Sequence, residues 1–149
     1  METKELKQLI TVVEYASQFH GGCTVNLKAE PAKKGFAIGG IVKEQIGNFS
    51  ETGDFIKKYM EYFEQGYYIG TYEEEPRQIV FDVIKIEQDA FKAIKLGIKM
   101  HQRSIYDLNH NKVILLPSPQ TSGTYTQKEA YANQKADEII AKLKKENYA

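Results

Sequence analysis

The sequence predicts an α+β protein in which helices pack on an antiparallel sheet built from three hairpins. Apolar residues recur every three or four positions in four segments, which is typical of amphipathic helices. Between these segments they recur at every second position in short neighbouring pairs, which is typical of β-hairpins. The order of segments lacks the strand–helix–strand alternation of a parallel sheet, so antiparallel pairing is expected.

The first third of the chain predicts a helix followed by a hairpin. Helical spacing covers residues 4–19, with Thr3 as a candidate N-cap and two glycines after the segment to end it. Residues 23–29 then alternate between apolar and polar side chains, and a second strand is expected over 35–42. The sequence EPAKKG between the two strands is expected to turn the chain.

The middle of the chain predicts a second helix and a second hairpin. A broad apolar face covers residues 52–64, and two strands are expected over 67–72 and 78–86. The short loop EEEPR between these strands favours a hairpin. Because residues 78–86 are apolar on both faces, this strand is expected to lie centrally in the sheet.

The remaining segments predict a third helix, a third hairpin and a last helix. The third helix is expected over residues 88–102, and strands over 104–108 and 113–116 form the hairpin. Thr126 and Glu129 have the spacing of a capping box at the start of the last helix.

Domain organisation follows from the Pro- and Ser-containing stretch PSPQTSG. We expect a single α+β domain over 1–116, a connector over 117–125 and a C-terminal helix over 126–149. The apolar stripe of this helix is narrow, so the helix either docks on its own domain or pairs with a second protomer as a homodimer. The stripe consists of Ala132, Ala136, Ile139, Ile140 and Leu143.

Composition and charge narrow the classes of function. Twenty basic residues balance twenty acidic ones, so no overall field favours nucleic acid as a partner. A single cysteine, Cys23, excludes an internal disulfide and a thiolate zinc cluster, and we expect neither metal nor cofactor. No apolar run approaches the roughly 20 residues that cross a bilayer, and the polar N-terminus lacks a signal-peptide pattern. The expected location is the cytoplasm of a bacterial host cell, without membrane contact.

A cationic stripe is the first candidate for a binding surface. On a helical wheel, three cations of the 88–102 segment and a fourth at position 103 fall within an arc of roughly 80° and lack acids at i,i+4 positions. Such a stripe favours an acidic partner; alternatively it is a solvated face whose cations meet acids from elsewhere in the fold. Two tyrosines of the 67–72 segment are the second choice of partner-binding residues. The predicted set is Lys92, Lys95, Lys99, Arg103, Tyr67 and Tyr72.

A histidine and an aspartate are candidates for a pocket. His101 falls within the apolar arc of the 88–102 helix, where a histidine is expected in the core or lining a pocket. Asp82 lies between Phe81 and Val83 in the central strand, where burial would perturb its ionisation. Motifs for nucleophilic, metal-dependent or phosphate-binding catalysis are absent, so no catalytic residue is predicted.

Residues 35–108 resemble a small domain of uncharacterised bacteriophage and mobile-element proteins, which also occurs inside phage polyvalent proteins. The resemblance rests on GFAIGG, YYIGTY, VFDV and DAFKAIKLGIKMHQRSIYDL. His101 departs from the pattern, in which asparagine is more usual. The resemblance implies a phage context and carries no catalytic residue. The matching positions are Gly70, Asp82, Asp89, Ala93, Gly97, Gln102, Tyr106 and Asp107.

The functional hypothesis that follows is a non-catalytic protein of a phage or mobile element. We expect it to bind a host or phage protein stoichiometrically, as a counter-defence inhibitor of the anti-CRISPR type does. One alternative is an accessory module of the virion or of DNA packaging. The other is a small enzyme or nucleotide-binding protein that uses His101 and Asp82.

Overall fold

The computed structural model describes residues 1–118, 120 and 122–146, and it confirms the predicted α+β class with antiparallel strand pairing. Parts of the predicted connector, 119 and 121, and the predicted helix end, 147–149, lie outside the described residues. The helices are α1 (Thr3–Phe19), α2 (Thr52–Lys58), α3 (Met60–Glu64), α4 (Ala90–Lys99) and α5 (Tyr125–Lys145). The strands are β1 (Gly22–Val25), β2 (Phe36–Ile38), β3 (Gln45–Gly47), β4 (Tyr68–Glu75), β5 (Gln78–Glu87), β6 (Ser104–Asp107) and β7 (Lys112–Leu115).

The described residues form two compact units. The first unit comprises Met1–Lys33 with Gly39–Ile86, and the second comprises Lys34–Ile38 with the chain from Glu87 onward. The predicted boundaries, with a single domain over 1–116, remain a prediction. None of the described helices combines the length and the apolar character that crossing a membrane requires.

The first unit packs α1, α2 and α3 against four antiparallel strands. β1 pairs with β4, β4 with β5 and β3 with β5, so β5 is internal as predicted from its apolar faces. One face of β5 enters the core through Ile79, Phe81 and Val83. Phe55 of α2 is fully buried and stacks on Phe81, with ring centroids 5.3 Å apart.

The second unit packs α4 and α5 with three antiparallel strands, β2, β6 and β7. β2 pairs with β6 and β6 pairs with β7, which confirms the third predicted hairpin. Gly97 of α4 lies so close to Ile105 and Leu116 that an added Cβ would be 2.7 Å from each side chain. This glycine therefore serves close packing of α4. The buried core consists of Phe36, Ile38, Ala93, Ile94, Ile98, Ile105, Ile114, Ala132 and Ala136.

The first predicted hairpin is wrong. Residues 23–29 and 35–42 do not pair with each other, because β1 ends at Val25 and pairs with β4 whereas β2 pairs with β6. The strand ends early because Asn26 Oδ1 accepts hydrogen bonds from the backbone N–H groups of Lys28 (3.0 Å) and Glu30 (2.9 Å). This side-chain turn competes with the strand ladder. The predicted hairpin of β4 and β5 forms, but its loop is shorter than EEEPR because β4 continues to Glu75.

Other local differences concern short elements and helix ends. The segment 43–48 contains β3, a three-residue strand too short to show a period. The predicted helix 52–64 is interrupted at Tyr59, whose φ of −111° departs from helical geometry. Thr3 is not the cap of α1, which begins after Glu2 without a side-chain cap. The capping box of α5 uses Thr124 and Gln127 rather than Thr126 and Glu129.

Helix α4 is shorter than predicted and ends with His101 in the left-handed conformation. The N–H of His101 donates to Ile98 O at 3.1 Å, and that of Gln102 donates to Gly97 O at 2.9 Å. These two bonds form a Schellman motif, in which glycine usually occupies the position that His101 takes with φ +58°. The exposed His101 corrects the expectation that its ring belongs to the apolar face of a longer helix.

Replacing His101 by glycine is expected to raise the free energy of unfolding by about 1 kcal/mol, because glycine adopts this φ without the steric cost of a Cβ. Urea unfolding monitored by circular dichroism measures the change. His101→Ala is the matched control, because it removes the imidazole and keeps the strain. A gain of equal size in both variants would contradict the backbone explanation.

Candidate functional site

The cationic stripe of α4 is partly neutralised by α5. Lys95 Nζ lies 2.8 Å from Glu129 Oε2, and Lys99 Nζ pairs with the other oxygen of the same carboxylate. Tyr125 also donates a hydrogen bond to Glu129 Oε1 at 3.0 Å. Lys95, Lys99 and Tyr125 together lower the pKa of Glu129 to about 2, and Glu129 raises the pKa of Lys99. For Lys95 and Lys99 the structure therefore agrees with the alternative interpretation of the stripe, in which its cations meet an acid from elsewhere in the fold.

The other predicted binding residues are dispersed. Lys92 and Arg103 are exposed, and no ion pair to either is found within the described part of the chain. Tyr67 is half-buried beside the core of the first unit and meets Tyr62 edge-on, with centroids 5.5 Å apart. Tyr72 is exposed, and its hydroxyl donates to Glu44 Oε2 at 3.1 Å. Whether these residues bind a partner remains a prediction.

An exposed apolar face on α1 is a feature that sequence reasoning missed. Val12, Tyr15 and Phe19 are 41%, 58% and 62% exposed, respectively, although all three lie on a helix whose other face is buried. Their i, i+3, i+7 spacing places them on one face. The rings of Tyr15 and Phe19 pack on each other, with centroids 4.9 Å apart. We call Val12, Tyr15 and Phe19 the α1 face.

The α1 face was detectable in the sequence as a second apolar stripe beside the core stripe. Leu9 and Val13 supply the core stripe and are buried. Sequence reasoning followed the core stripe alone and did not consider Val12, Tyr15 and Phe19. Exposed Gln8, Thr11 and Gln18 lie beside the α1 face, and the ring of His20 lies 5.7 Å from that of Tyr15.

Asp82 lies with Tyr72 and Glu44 in the first unit. The side chain is 7% exposed, and it accepts hydrogen bonds from the N–H groups of Gly40 (3.3 Å) and Val83 (2.8 Å). Burial, assisted by the charge of Glu44, raises the pKa of Asp82 to about 6 against the effect of these two bonds. Burial and then Glu44 raise the pKa of Tyr72 to about 12. The cluster therefore holds a carboxyl group whose pKa lies well above that of an ordinary aspartate.

Replacing Asp82 by asparagine is expected to change the free energy of unfolding, relative to the wild type, by about 1–2 kcal/mol more favourably at pH 8 than at pH 4. The pKa of Asp82 is raised in the folded state, so its ionisation costs free energy of folding above pH 6 and little near pH 4. The gain should therefore shrink as the pH falls from 8 to 4. Urea unfolding across this range measures it, and the exposed Asp54→Asn is the control. A gain that is independent of pH would contradict the assignment.

Asp107 and His110 form a second titratable pair, in the second unit. Asp107 is fully buried, its Oδ1 accepts from the N–H of Asn109 at 2.8 Å, and its Oδ2 lies 2.7 Å from His110 Nδ1. A carboxylate on one ring nitrogen orients a histidine, as in catalytic dyads. His110 also lines a pocket of about 440 Å³ with Phe36, Phe91 and other residues of this unit. From the sequence, Asp107 and His110 flank a tight turn, where an aspartate is expected for backbone reasons, so the pair was not predicted as a site.

The predicted pair His101 and Asp82 is divided between the two units. His101 belongs to the second unit, where it lines a pocket of about 110 Å³ with Lys99, Tyr125 and Glu129. Asp82 belongs to the first unit. Within the described residues, no group of three or more His, Cys, Asp or Glu side chains is arranged to hold a metal ion.

Comparison of the chain with protein-family models, with curated proteins and with solved structures found no match. The resemblance of residues 35–108 to a phage domain therefore remains a prediction. Several of its matching positions have structural roles in the fold. Asp89 caps α4 by accepting from the N–H of Lys92 at 2.9 Å, and Gly97 allows close packing.

Proposed function

We propose that this protein acts by stoichiometric binding to another protein and catalyses no reaction. The observation that carries the proposal is the α1 face, on which two aromatic side chains are more than half exposed. Aromatic residues are enriched among the residues that dominate protein–protein binding energies. An exposed aromatic pair on a regular helix is therefore a better candidate contact than a cationic stripe whose centre is neutralised.

The spacing of the α1 face favours a particular mode of binding. Val12, Tyr15 and Phe19 have the i, i+3, i+7 spacing of helices that insert one face into an apolar groove. Packing of Tyr15 against Phe19 restricts both rings before binding, which lowers the entropy cost of association. The proposed partner therefore presents an apolar groove that accepts a helix.

The biological setting of the proposal comes from the resemblance to phage proteins. The partner is then a host protein, and the specific form of the hypothesis is a counter-defence inhibitor of the anti-CRISPR type. A virion or packaging accessory module would use the same surface on a phage protein. Recovery of the chain in purified particles would distinguish this alternative.

Affinity capture at two salt concentrations tests the proposal. The tagged protein is incubated with host lysate at low and high salt, and the retained proteins are identified by mass spectrometry. Contact through the uncharged α1 face should persist at high salt, because screening weakens charged contacts and leaves apolar contacts intact. Retention of the partner at low salt only would indicate the exposed cations Lys92 and Arg103 instead.

A small enzyme or nucleotide-binding protein is the second candidate function, and Asp107 with His110 is the observation that favours it. Their contact at 2.7 Å lies beside an apolar pocket of about 440 Å³, which suits a small ligand. This assigns the alternative to His110 and Asp107 rather than to His101 and Asp82. Thermal unfolding with a panel of nucleotides tests it, because a ligand of the folded state raises Tm. The rise should disappear in His110→Ala and persist in His101→Ala.

A further inference from the structure

Strand β7 and helix α5 border a groove in the second unit. The groove has a volume of about 310 Å³ and is lined along β7 from Lys112 to Leu115 and along one side of α5. Among the strands that the structure describes, β7 pairs with β6 only and is therefore an edge strand. Val113 and Leu115 are 57% and 78% exposed, so the edge carries apolar side chains where edge strands usually carry charge.

The alternation of hydrogen-bonded and non-hydrogen-bonded pairs between β6 and β7 shows which backbone groups of β7 face outward. The N–H of Leu116 donates to Arg103 O at 2.9 Å, so Arg103 and Leu116 form a hydrogen-bonded pair. In an antiparallel ladder such pairs alternate with pairs that exchange no bonds. Ile114 therefore bonds to Ile105 across the ladder, and the N–H and C=O groups of Val113 and Leu115 point away from β6.

We propose that the edge of β7 pairs with β7 of a second copy, giving a two-fold symmetric dimer. Antiparallel pairing centred on Ile114 places Val113 opposite Leu115 of the second copy, and the reverse pair follows by symmetry. Both pairs then use the outward N–H and C=O groups, which gives four backbone hydrogen bonds. A register centred on Leu115 would place Val113 opposite Pro117, which has no N–H to donate.

Charge on the wall of the groove favours a second copy over an unrelated strand. Lys142, in the last turn of α5, and Glu146, the C-cap residue four positions later, both line the groove. A two-fold axis normal to the sheet makes the two α5 helices antiparallel, so Lys142 faces Glu146 of the second copy, twice. The wall is therefore complementary to itself, as a two-fold interface requires. Exposed Val113 and Leu115 gain cross-strand neighbours in the same arrangement.

The first test is the mass of the full chain in solution, by sedimentation equilibrium, with two edge variants. The wild type should be dimeric. The double variant Val113→Lys, Leu115→Lys should be monomeric, because it brings ammonium groups face to face across the pairing. Tyr106→Lys is the matched control, since Tyr106 lies in β6 opposite Val113 and not at the edge, and it should stay dimeric.

A charge-reversal test identifies the pairing of α5 with α5. Lys142→Glu and Glu146→Lys should each weaken the dimer by about tenfold, because each leaves like charges opposed. An equimolar mixture of the two variants should form a heterodimer, in which every contact again joins opposite charges. Two outcomes would overturn the proposal: a monomeric wild type, or a mixture as weak as its components. A monomeric wild type whose edge variant loses capture of a lysate protein would assign the groove to that protein.

Discussion

The double variant Tyr15→Ala, Phe19→Ala should lower the affinity for the captured partner by about 100-fold or more, without changing Tm. Truncation of a central aromatic residue of an interface commonly costs at least about 2 kcal/mol, which corresponds to about 30-fold for each residue. Both side chains are more than half exposed in the unbound protein, so their removal leaves no cavity in the core. Isothermal titration with the purified partner measures the affinity, and differential scanning calorimetry measures Tm.

The matched control for this prediction is Ile46→Ala. Ile46 is another exposed apolar residue of the first unit, but it lies on β3 rather than on the α1 face. Its removal should leave the affinity unchanged. An equal loss in the control and the double variant would mean that binding depends on general surface hydrophobicity and not on the α1 face.

Phe55→Ala should lower the free energy of unfolding by about 3–5 kcal/mol, the largest stability effect expected from a single change in the first unit. Phe55 is fully buried, and its ring contacts those of Tyr59, Phe63 and Phe81 at centroid distances of 5.2, 6.1 and 5.3 Å. Its truncation removes apolar contacts and leaves a cavity that the surrounding rings cannot fill without moving. The expected fall in Tm is roughly 10 °C.

Phe19→Ala serves as the control for this second prediction, because it removes the same group from an exposed position. Its effect on the free energy of unfolding should stay within about 0.5 kcal/mol. Chemical unfolding of both variants at one pH gives the comparison. A Phe55 variant within about 1 kcal/mol of the wild type would contradict the central role of this ring in the core.

The fold class and the long elements were predictable because their apolar periods are strong. The sequence identified α1, β5 and the start of α5 to within one residue, and β5 as internal, but it ended β4 three residues early. Shorter elements were not predicted, because a strand of three residues, such as β3, is too short to show an apolar period. The partner of β1 was not predicted for a different reason. The turn at Asn26 ends β1 locally, and the pairing of β1 with β4 depends on contacts distant in sequence.

The candidate site was less predictable, because charge neutralisation and exposure are set by tertiary contacts. Glu129 meets Lys95 and Lys99 from 34 and 30 positions away, a relation that no helical wheel contains. His101 was assigned to the apolar face of a helix that in fact ends before it, at Lys99. Asp82 is buried, a position that the sequence left open. Predicting that the α1 face is exposed would have required knowing which of the two apolar stripes of α1 the sheet covers.

The central claim is that this protein works by contact and not by turnover, and a titration against its purified partner tests that claim most directly. The activity of a fixed amount of partner is measured at increasing molar ratios of the protein, after several incubation times. Stoichiometric binding predicts that the activity changes linearly up to a fixed molar ratio and that the endpoint is independent of time. A substoichiometric amount that changes the whole partner population, progressively with time, would contradict it.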